Sequence, residues 1–308
     1  MTLQSLRYFC EIAKQGWNIS QAAKALHTSQ PGVSRQMHAL ERELGIRLFS
    51  RRNNRISGLT GPGREVLAMA TRILGDTANL KSLGSECAGA AGGSLTVAAT
   101  HTQARYVLPN AVKRFTRAHP EVQLYLKQGI PTELVKLVAS GDADISVSAL
   151  PARLPEAVVA LPCFDLERIV VVPSGHPLLK VKRMTLEQLA RYPLITYDGA
   201  FSMRENLLGS FKREGLAPKV VINAVDADVM KTYTAAGLGI AIVPEVAFNS
   251  DADRELRAIR AEKLLGKDTI CLCLRRHSHL RQFAIDFIQL FAPKVPSAAI
   301  AKAVDLQI

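Results

Sequence analysis

Gln30, Ser34, Arg35, His38 and Arg42 recur at spacings that place an amide, a hydroxyl, an imidazole and two guanidinium groups on one face of an α-helix. These groups hydrogen-bond base edges and phosphates in a DNA groove. Three further cations, Arg51, Arg52 and Arg55, follow in "RLFSRRNNRISGLT", where Asn53 and Asn54 form a turn pair and the arginines can lie along phosphates. Later, "THTQ" sets Thr100, Thr102 and Gln103 between an apolar strand and a helix, an arrangement suited to a carboxylate or sulfate. The same residue types also serve as plain helix caps. His277 and His279 have no acid or cysteine at metal spacing, so they are expected to be solvated or capping groups, and no metal site is expected. The chain has no Gly-x-Ser-x-Gly, His-Glu-x-x-His or glycine-rich phosphate loop, so binding is expected rather than catalysis, with no cofactor.

The elements that position these groups follow from periodicity. Leu3, Leu6, Phe9, Ile12 and Ala13 predict an amphipathic helix over 3–15, closed by Gly16. Asn18 caps a second helix, with Gln21 answering the cap, and "QAAKAL" carries it to near His27. Ser29 caps a third, with Pro31 tolerated in its first turn and Gly45 at its end. Its stripe of Val33, Met37, Leu40 and Leu44 must face the other two helices, which leaves the polar face outward. Two helices joined by a tight turn make a helix-turn-helix, and the arginine-bearing hairpin is its wing. Thr60 and "GPG" cap a long helix to about Leu83, whose Val66, Ala70, Ile73, Thr77 and Leu80 form a seam for a partner helix or for its own domain. "GSECAGAAGGS" at 84–94 is expected to be a hinge.

Beyond it, apolar runs ("SLTVAAT", "VQLYLKQG", "ADISVS", "ERIVVVP", "LITY", "KVVINAV", "GIAIVP", "DTICLCLRR") alternate with helical stretches near 103–118, 132–140, 203–214 and 227–236 and after His279, the pattern of parallel sheets covered by helices. A chain of 308 residues, 48% hydrophobic, has room for several cores. Its net charge is +12, and the first 60 residues hold nine Lys/Arg against three Asp/Glu, the surplus that a polyanionic partner selects. The five cysteines are too scattered for a metal knuckle or a disulfide framework, and Cys271 and Cys273 should point the same way on one strand as packed thiols. No apolar signal core or membrane span is evident, so a cytoplasmic protein with no membrane partner is expected.

The segment from "LRYFCEIAKQGWNISQAAKALHTSQPGVSRQMHALERELGIRLFSRRNNRISGLTGPGREVL" resembles the winged helix-turn-helix of LysR-type transcriptional regulators. "GSLTVAATHTQARYVLPNAVKRFTRAHPEV", "QGIPTELVKLVASGDADI" and "DADVMKTYTAAGLGIAIVP" are similar to the CysB-like branch, regulators of sulfur assimilation and organosulfur use. The resemblance covers nearly the whole length. It implies an α/β protein overall: an all-α winged head (1–59), a dimerising linker helix and hinge (60–92), and a two-lobed module like periplasmic binding proteins (93–308). Lobe I would span about 93–162 and 268–308, and lobe II about 163–267. Ser29, Gln30, Pro31, Ser34, Arg35, His38, Arg51, Arg52 and Arg55 would meet double-stranded promoter DNA. Thr100, Thr102, Gln103 and Ser202 would line an effector cleft. Where the branch carries Thr after "ADISVS" this chain has Ala149, which leaves Ser148 as the neighbouring hydroxyl to line the cleft. Sulfate, an acetylated serine and an adenylylated sulfate are the effectors implied, with a homodimer or homotetramer as the assembly and RNA polymerase as a partner. A solute-binding module with a vestigial DNA domain is the alternative.

Overall fold

The computed structural model describes residues 1–52, 55–87, 92–150, 153–199 and 201–304. They divide into two units, Met1–Ser85 and Glu86–Ile308. In the first, α1 (Leu3–Lys14), α2 (Ile19–Ala25) and α3 (Gln30–Leu44) pack around Leu6, Phe9, Ile12, Val33, Met37 and Leu40, with Leu44 at the rim of the same core. The caps are those the sequence implies. Asn18 accepts from the Gln21 N–H at 3.1 Å, Ser29 from the Gly32 N–H at 3.3 Å, and Gly45 ends α3 in the left-handed region that glycine reaches without strain (φ 67°).

An antiparallel pair, β1 (Phe49–Arg52) and β2 (Arg55–Leu59), follows, with Arg52 opposite Arg55. Its Asn53–Asn54 turn and the Arg55 side chain lie outside the described residues. Thr60 Oγ1 then accepts from the Gly63 N–H at 2.9 Å and starts α4 (Gly61–Cys87). This helix outruns the expected Leu83 and takes up the first residues of the expected hinge. Positions 88–91 of that hinge lie outside the described residues. The α4 seam divides in two. Val66, Ala70 and Ile73 pack on the head's own core, whereas Leu80 is 70% exposed.

The second unit is α/β. Its strands run β4 (Val122–Gln128), β3 (Gly93–Ala99), β5 (Ile145–Ala149), β11 (Lys267–Arg275), β6 (Val158–Pro173), β9 (Ile240–Pro244), β7 (Leu194–Tyr197) and β8 (Val220–Ala224), with β10 (Leu256–Arg260) also paired to β6. The long strand β6 makes this one path through two lobes. It pairs with β11 as far as Glu167, then with β9 from Arg168. The crossing therefore falls at Glu167–Arg168, later than the expected 162/163, because the ladder with β11 resumes past a register shift at Ile270/Cys271 and runs on to that point.

Both faces of each lobe's sheet are covered, which is why the strands read as nearly continuous apolar runs. In the first lobe Leu95, Val97 and Ala99 face α5 (Leu108–Ala118) and α10 (Gln282–Phe291), while Ala98 and Cys273 face α6 (Pro131–Ser140). In the second, Val171, Ala241 and Val243 pack with α9 (Ala227–Ala235), and Val170, Ile240 and Ile242 with α7 (Leu186–Ala190) and α8 (Ser202–Arg213). Cys271 and Cys273 lie buried on β11, and burial pushes the Cys273 thiol up to about 12 and the Cys163 thiol to about 11. Thiols held so far from ionisation are poor nucleophiles.

Candidate functional site

The first unit presents a polar face on α3. Ser29, Gln30, Pro31, Arg35 and His38 are exposed and Ser34 is half-buried, all outside the Val33–Met37–Leu40 stripe pinned to the core. Arg42 shares this exposed side. The turn before α3 is made by His27, held at φ 49°, a conformation that non-glycine residues adopt at a cost. Arg51 and Arg52 are exposed on β1. An amide, hydroxyls and cations thus project from a helix whose back is packed into the core, the requirement for reading a groove.

The second unit holds a small cleft where the two lobes meet, with a cavity of about 30 Å³. Thr100, Thr102 and Gln103 reach it from the end of β3, and Phe201, Ser202 and Met203 from the start of α8. Two helix N-termini, with their unpaired N–H groups, therefore bring polar atoms to one space. The first of these helices begins at His101 and contains a π-helical turn, Gln103–Val107, before α5 takes over, where the sequence predicts one continuous helix from 103. Such turns widen the helix and are frequent at functional positions. Thr102 Oγ1 lies 3.2 Å from the Tyr197 hydroxyl across the lobes, and the Ser202 hydroxyl donates to the Leu150 carbonyl at 3.1 Å. Gln103 is 3% exposed, and its Oε1 has no hydrogen-bond partner among the described residues, so a donor group on a ligand or a water in the cleft would complete it.

Ser148 is the correction. It is buried, it does not line the cleft, and its hydroxyl donates to the Ala149 carbonyl at 2.9 Å. Successive strand residues point to opposite faces, so Ala149, which does line the cleft, turns Ser148 away from it. Position 149 thus presents a methyl group, and its neighbour offers no substitute hydroxyl.

Two groups absent from the sequence expectations shape the floor. Asp268 lines the cleft and is ion-paired to Arg168. The guanidinium donates through Nε to Oδ2 at 2.7 Å, through Nη2 to Oδ1, and through Nη1 to the Leu265 carbonyl at 3.0 Å. The signal in the sequence was slight: one arginine before the apolar run "IVVV" and one aspartate before "TICLCL".

Beside the cleft, polar side chains join the lobes. From the helix that begins at His101, Arg105 Nε lies 3.2 Å from Asp228, the Tyr106 hydroxyl donates to Asp228 Oδ1 at 2.5 Å, and His101 Nε2 lies 3.0 Å from Asp226. On α9, Lys231 lies 3.2 Å from Asp228 and 3.0 Å from Asp253, and donates to the Ala247 carbonyl at 2.6 Å. Burial works to raise the Asp228 carboxyl, but the hydrogen bonds from Tyr106 and Lys231 and the charges of Lys231 and Arg105 outweigh it and hold it below the ordinary range. His101, Asp226 and Asp228 converge closely enough to suggest a metal ligand set. Lys231 and Arg105 already neutralise Asp228, however, so a bound cation would have to displace them.

No helix among the described residues is long and apolar enough to cross a membrane. Residues 3–64 match the bacterial regulatory helix-turn-helix protein, lysR family, and residues 88–295 the LysR substrate binding domain. The chain is 42% identical to the HTH-type transcriptional regulator CysB of Burkholderia cenocepacia, over 98% of this chain and 97% of that protein. It is 40% identical to the regulator SsuR of the same organism, over 98% of each. Among solved structures, the cofactor-binding domain of the Cbl transcriptional regulator superposes with a TM-score of 0.67 at 37% identity, covering 69% of this chain and 93% of that one. Full-length CbnR in complex with its target DNA superposes with a TM-score of 0.59 at 25% identity, over 94% of this chain and 99% of that one. These relatives are transcriptional regulators rather than enzymes, and with both family domains matched in order, this chain belongs to the LysR family of transcriptional regulators, alongside CysB, SsuR and Cbl.

Proposed function

We propose that this regulator controls genes of sulfur assimilation or organosulfur utilisation and responds to a small anionic or sulfur-related effector held between its two α/β lobes. The observation that carries the reading is the convergence of Thr100, Thr102, Gln103 and Ser202 on one cleft at two helix starts, where hydroxyl, side-chain amide and helix N–H groups can donate to an anion. Sulfate, an acetylated serine and an adenylylated sulfate are the candidate ligands. Each offers oxygens for hydroxyl and N–H donors. Asp268 makes the Arg168 charge internal to the protein, so ligand charge is met by hydroxyls and helix ends rather than by a free cation among the described lining residues.

On the DNA side, Gln30, Ser34, Arg35 and His38 face base edges, while Ser29, Pro31, Arg51, Arg52 and Arg55 position the head on the backbone. The protein acts as a homodimer or homotetramer at promoters, where RNA polymerase is its further partner, in the cytoplasm. Two-fold pairing of heads sets half-sites about one helical turn apart or a multiple of that. The effector alters this assembly by binding one conformer more tightly than another. The polar face of α3 speaks against a pure solute-binding module.

The test is a thermal-shift series with the three ligands on the full-length protein, followed by operator binding at fixed salt. A ligand that raises stability and changes operator affinity identifies the effector. Thr102→Ala should blunt that response while leaving DNA binding intact. Arg35→Ala should weaken operator binding more than binding to random duplex, by about 1 to 3 kcal/mol of discrimination. Equal loss on both duplexes would reduce Arg35 to a phosphate contact, and an unchanged ligand titration would remove Thr102 from the cleft.

A further inference from the structure

We propose that Asp228 is a positioning residue for the effector cleft: with Arg105, Tyr106 and Lys231 it forms a latch that holds the two lobes closed and fixes the Thr100–Gln103 turn against the ligand. The proposal rests on the effector reading above and adds the means by which closure is set.

The geometry has three parts. First, the latch joins opposite lobes. Arg105 and Tyr106 leave the first lobe within the π-helical turn, and Asp228 and Lys231 stand on α9 of the second. Second, the contacts are multiple and mutually dependent. Asp228 Oδ1 accepts from the Tyr106 hydroxyl at 2.5 Å and lies 3.2 Å from Lys231 Nζ, which is 3.3 Å from the same hydroxyl; Oδ2 lies 3.2 Å from Arg105 Nε. Removing the carboxylate therefore loosens both partners on the first lobe at once. Third, the latch and the cleft share one helix. Thr102 and Gln103 line the cleft, and Arg105 and Tyr106 follow on the next turn. Residues three and four apart share a helix face, so Thr102 and the latch residues Arg105 and Tyr106 both face the second lobe, and a rotation of this turn moves both.

Closure and ligand contact are thus linked. A ligand seated on Thr102 and Gln103 favours the closed arrangement, and the latch supplies part of the closing free energy beforehand. A protein already closed loses less on binding, and its apparent affinity rises by the fraction of molecules that are competent. The effect must be reciprocal, so bound ligand must also tighten the latch.

The experiment uses full-length protein in four forms: wild type, Tyr106→Phe, Asp228→Asn and, as the conservative variant, Asp228→Glu. Hydrogen exchange is read over residues 100–108 and 226–233, and sulfate is titrated calorimetrically. Tyr106→Phe keeps every charge and removes one hydroxyl, so it reports even if Asp228→Asn folds poorly. The expected result is faster exchange in both segments for Tyr106→Phe and more so for Asp228→Asn, with the head unchanged and partial recovery in Asp228→Glu. Sulfate affinity should fall about tenfold in Asp228→Asn, the factor that about 1.4 kcal/mol produces. Exchange that rises only in 100–108 for Tyr106→Phe overturns the latch, because a purely local role would not reach the opposite lobe. So does an unchanged sulfate affinity in Asp228→Asn. If wild type binds no sulfate, the sulfate reading fails by itself, and the exchange measured without ligand still decides the latch.

Discussion

Replacing Arg168 with Met removes the cation at the point where β6 passes from one lobe to the other. Its guanidinium is 2% exposed and the Asp268 carboxylate 4%, so neither has water to fall back on. Arg168→Met keeps a side chain of similar reach and leaves behind two stranded groups, the Asp268 carboxylate and the Leu265 carbonyl. Breaking a buried pair from one side costs roughly 3 to 5 kcal/mol, mostly because the surviving charge is uncompensated. At about 2 to 4 °C per kcal/mol for a unit of this size, the effector unit should melt about 6 to 20 °C lower. Urea denaturation of the full-length protein, following the effector unit's transition, reads the loss, and the head's transition serves as an internal reference. The paired variant Arg168→Met with Asp268→Leu removes both charges and should regain most of the stability, since apolar replacements of buried pairs are often close to neutral. A single-variant loss below about 1 kcal/mol, or a double variant no better than the single, would refute the argument that the pair is held by mutual compensation.

Two shorter predictions accompany it. Ala149→Thr restores a hydroxyl to the cleft wall and should tighten sulfate about two- to twelvefold, the range that a net hydrogen bond of roughly 0.5 to 1.5 kcal/mol provides, whereas Ser148→Ala should leave the calorimetric affinity unchanged. A loss of sulfate affinity in Ser148→Ala would return its hydroxyl to the ligand. Gly63→Ala would place a methyl carbon 2.1 Å from the Leu48 carbonyl oxygen, a backbone atom that can yield only by shifting the chain that leads into β1. The head should lose about 1 to 3 kcal/mol, seen as a lower melting transition with weaker operator binding, and wild-type stability would show that α4 does not need this close approach.

The winged head was legible because its signals are local. Asn18, Ser29 and Gly45 cap or close their own helices, and the 4-3-4 stripe of Val33, Met37, Leu40 and Leu44 needs no distant partner to declare which side faces inward. The same holds for the alternation of apolar runs and helices in the effector unit. Strand β10 escaped because its exposed, charged edge, with Arg257 and Arg260, carries no apolar run. The α4 seam could be read as a stripe, but how it splits between the head's core and an exposed end depends on where the first three helices stop.

Local order thus fixed the groups on α3 and placed Thr100, Thr102 and Gln103 at a helix start. Pairings between residues far apart in the chain had no such trace. Arg168 meets Asp268, Tyr106 meets Asp228 and Thr102 meets Tyr197 only because β6 carries one lobe across to the other. The fate of Ser148 was decided the same way: the strand period says that it opposes Ala149, but only the packing of the lobes says which of the two faces the cleft. Periodicity and caps act over a few residues and so are written in sequence, whereas charge compensation and cleft lining depend on which distant surfaces meet, and folding alone sets that.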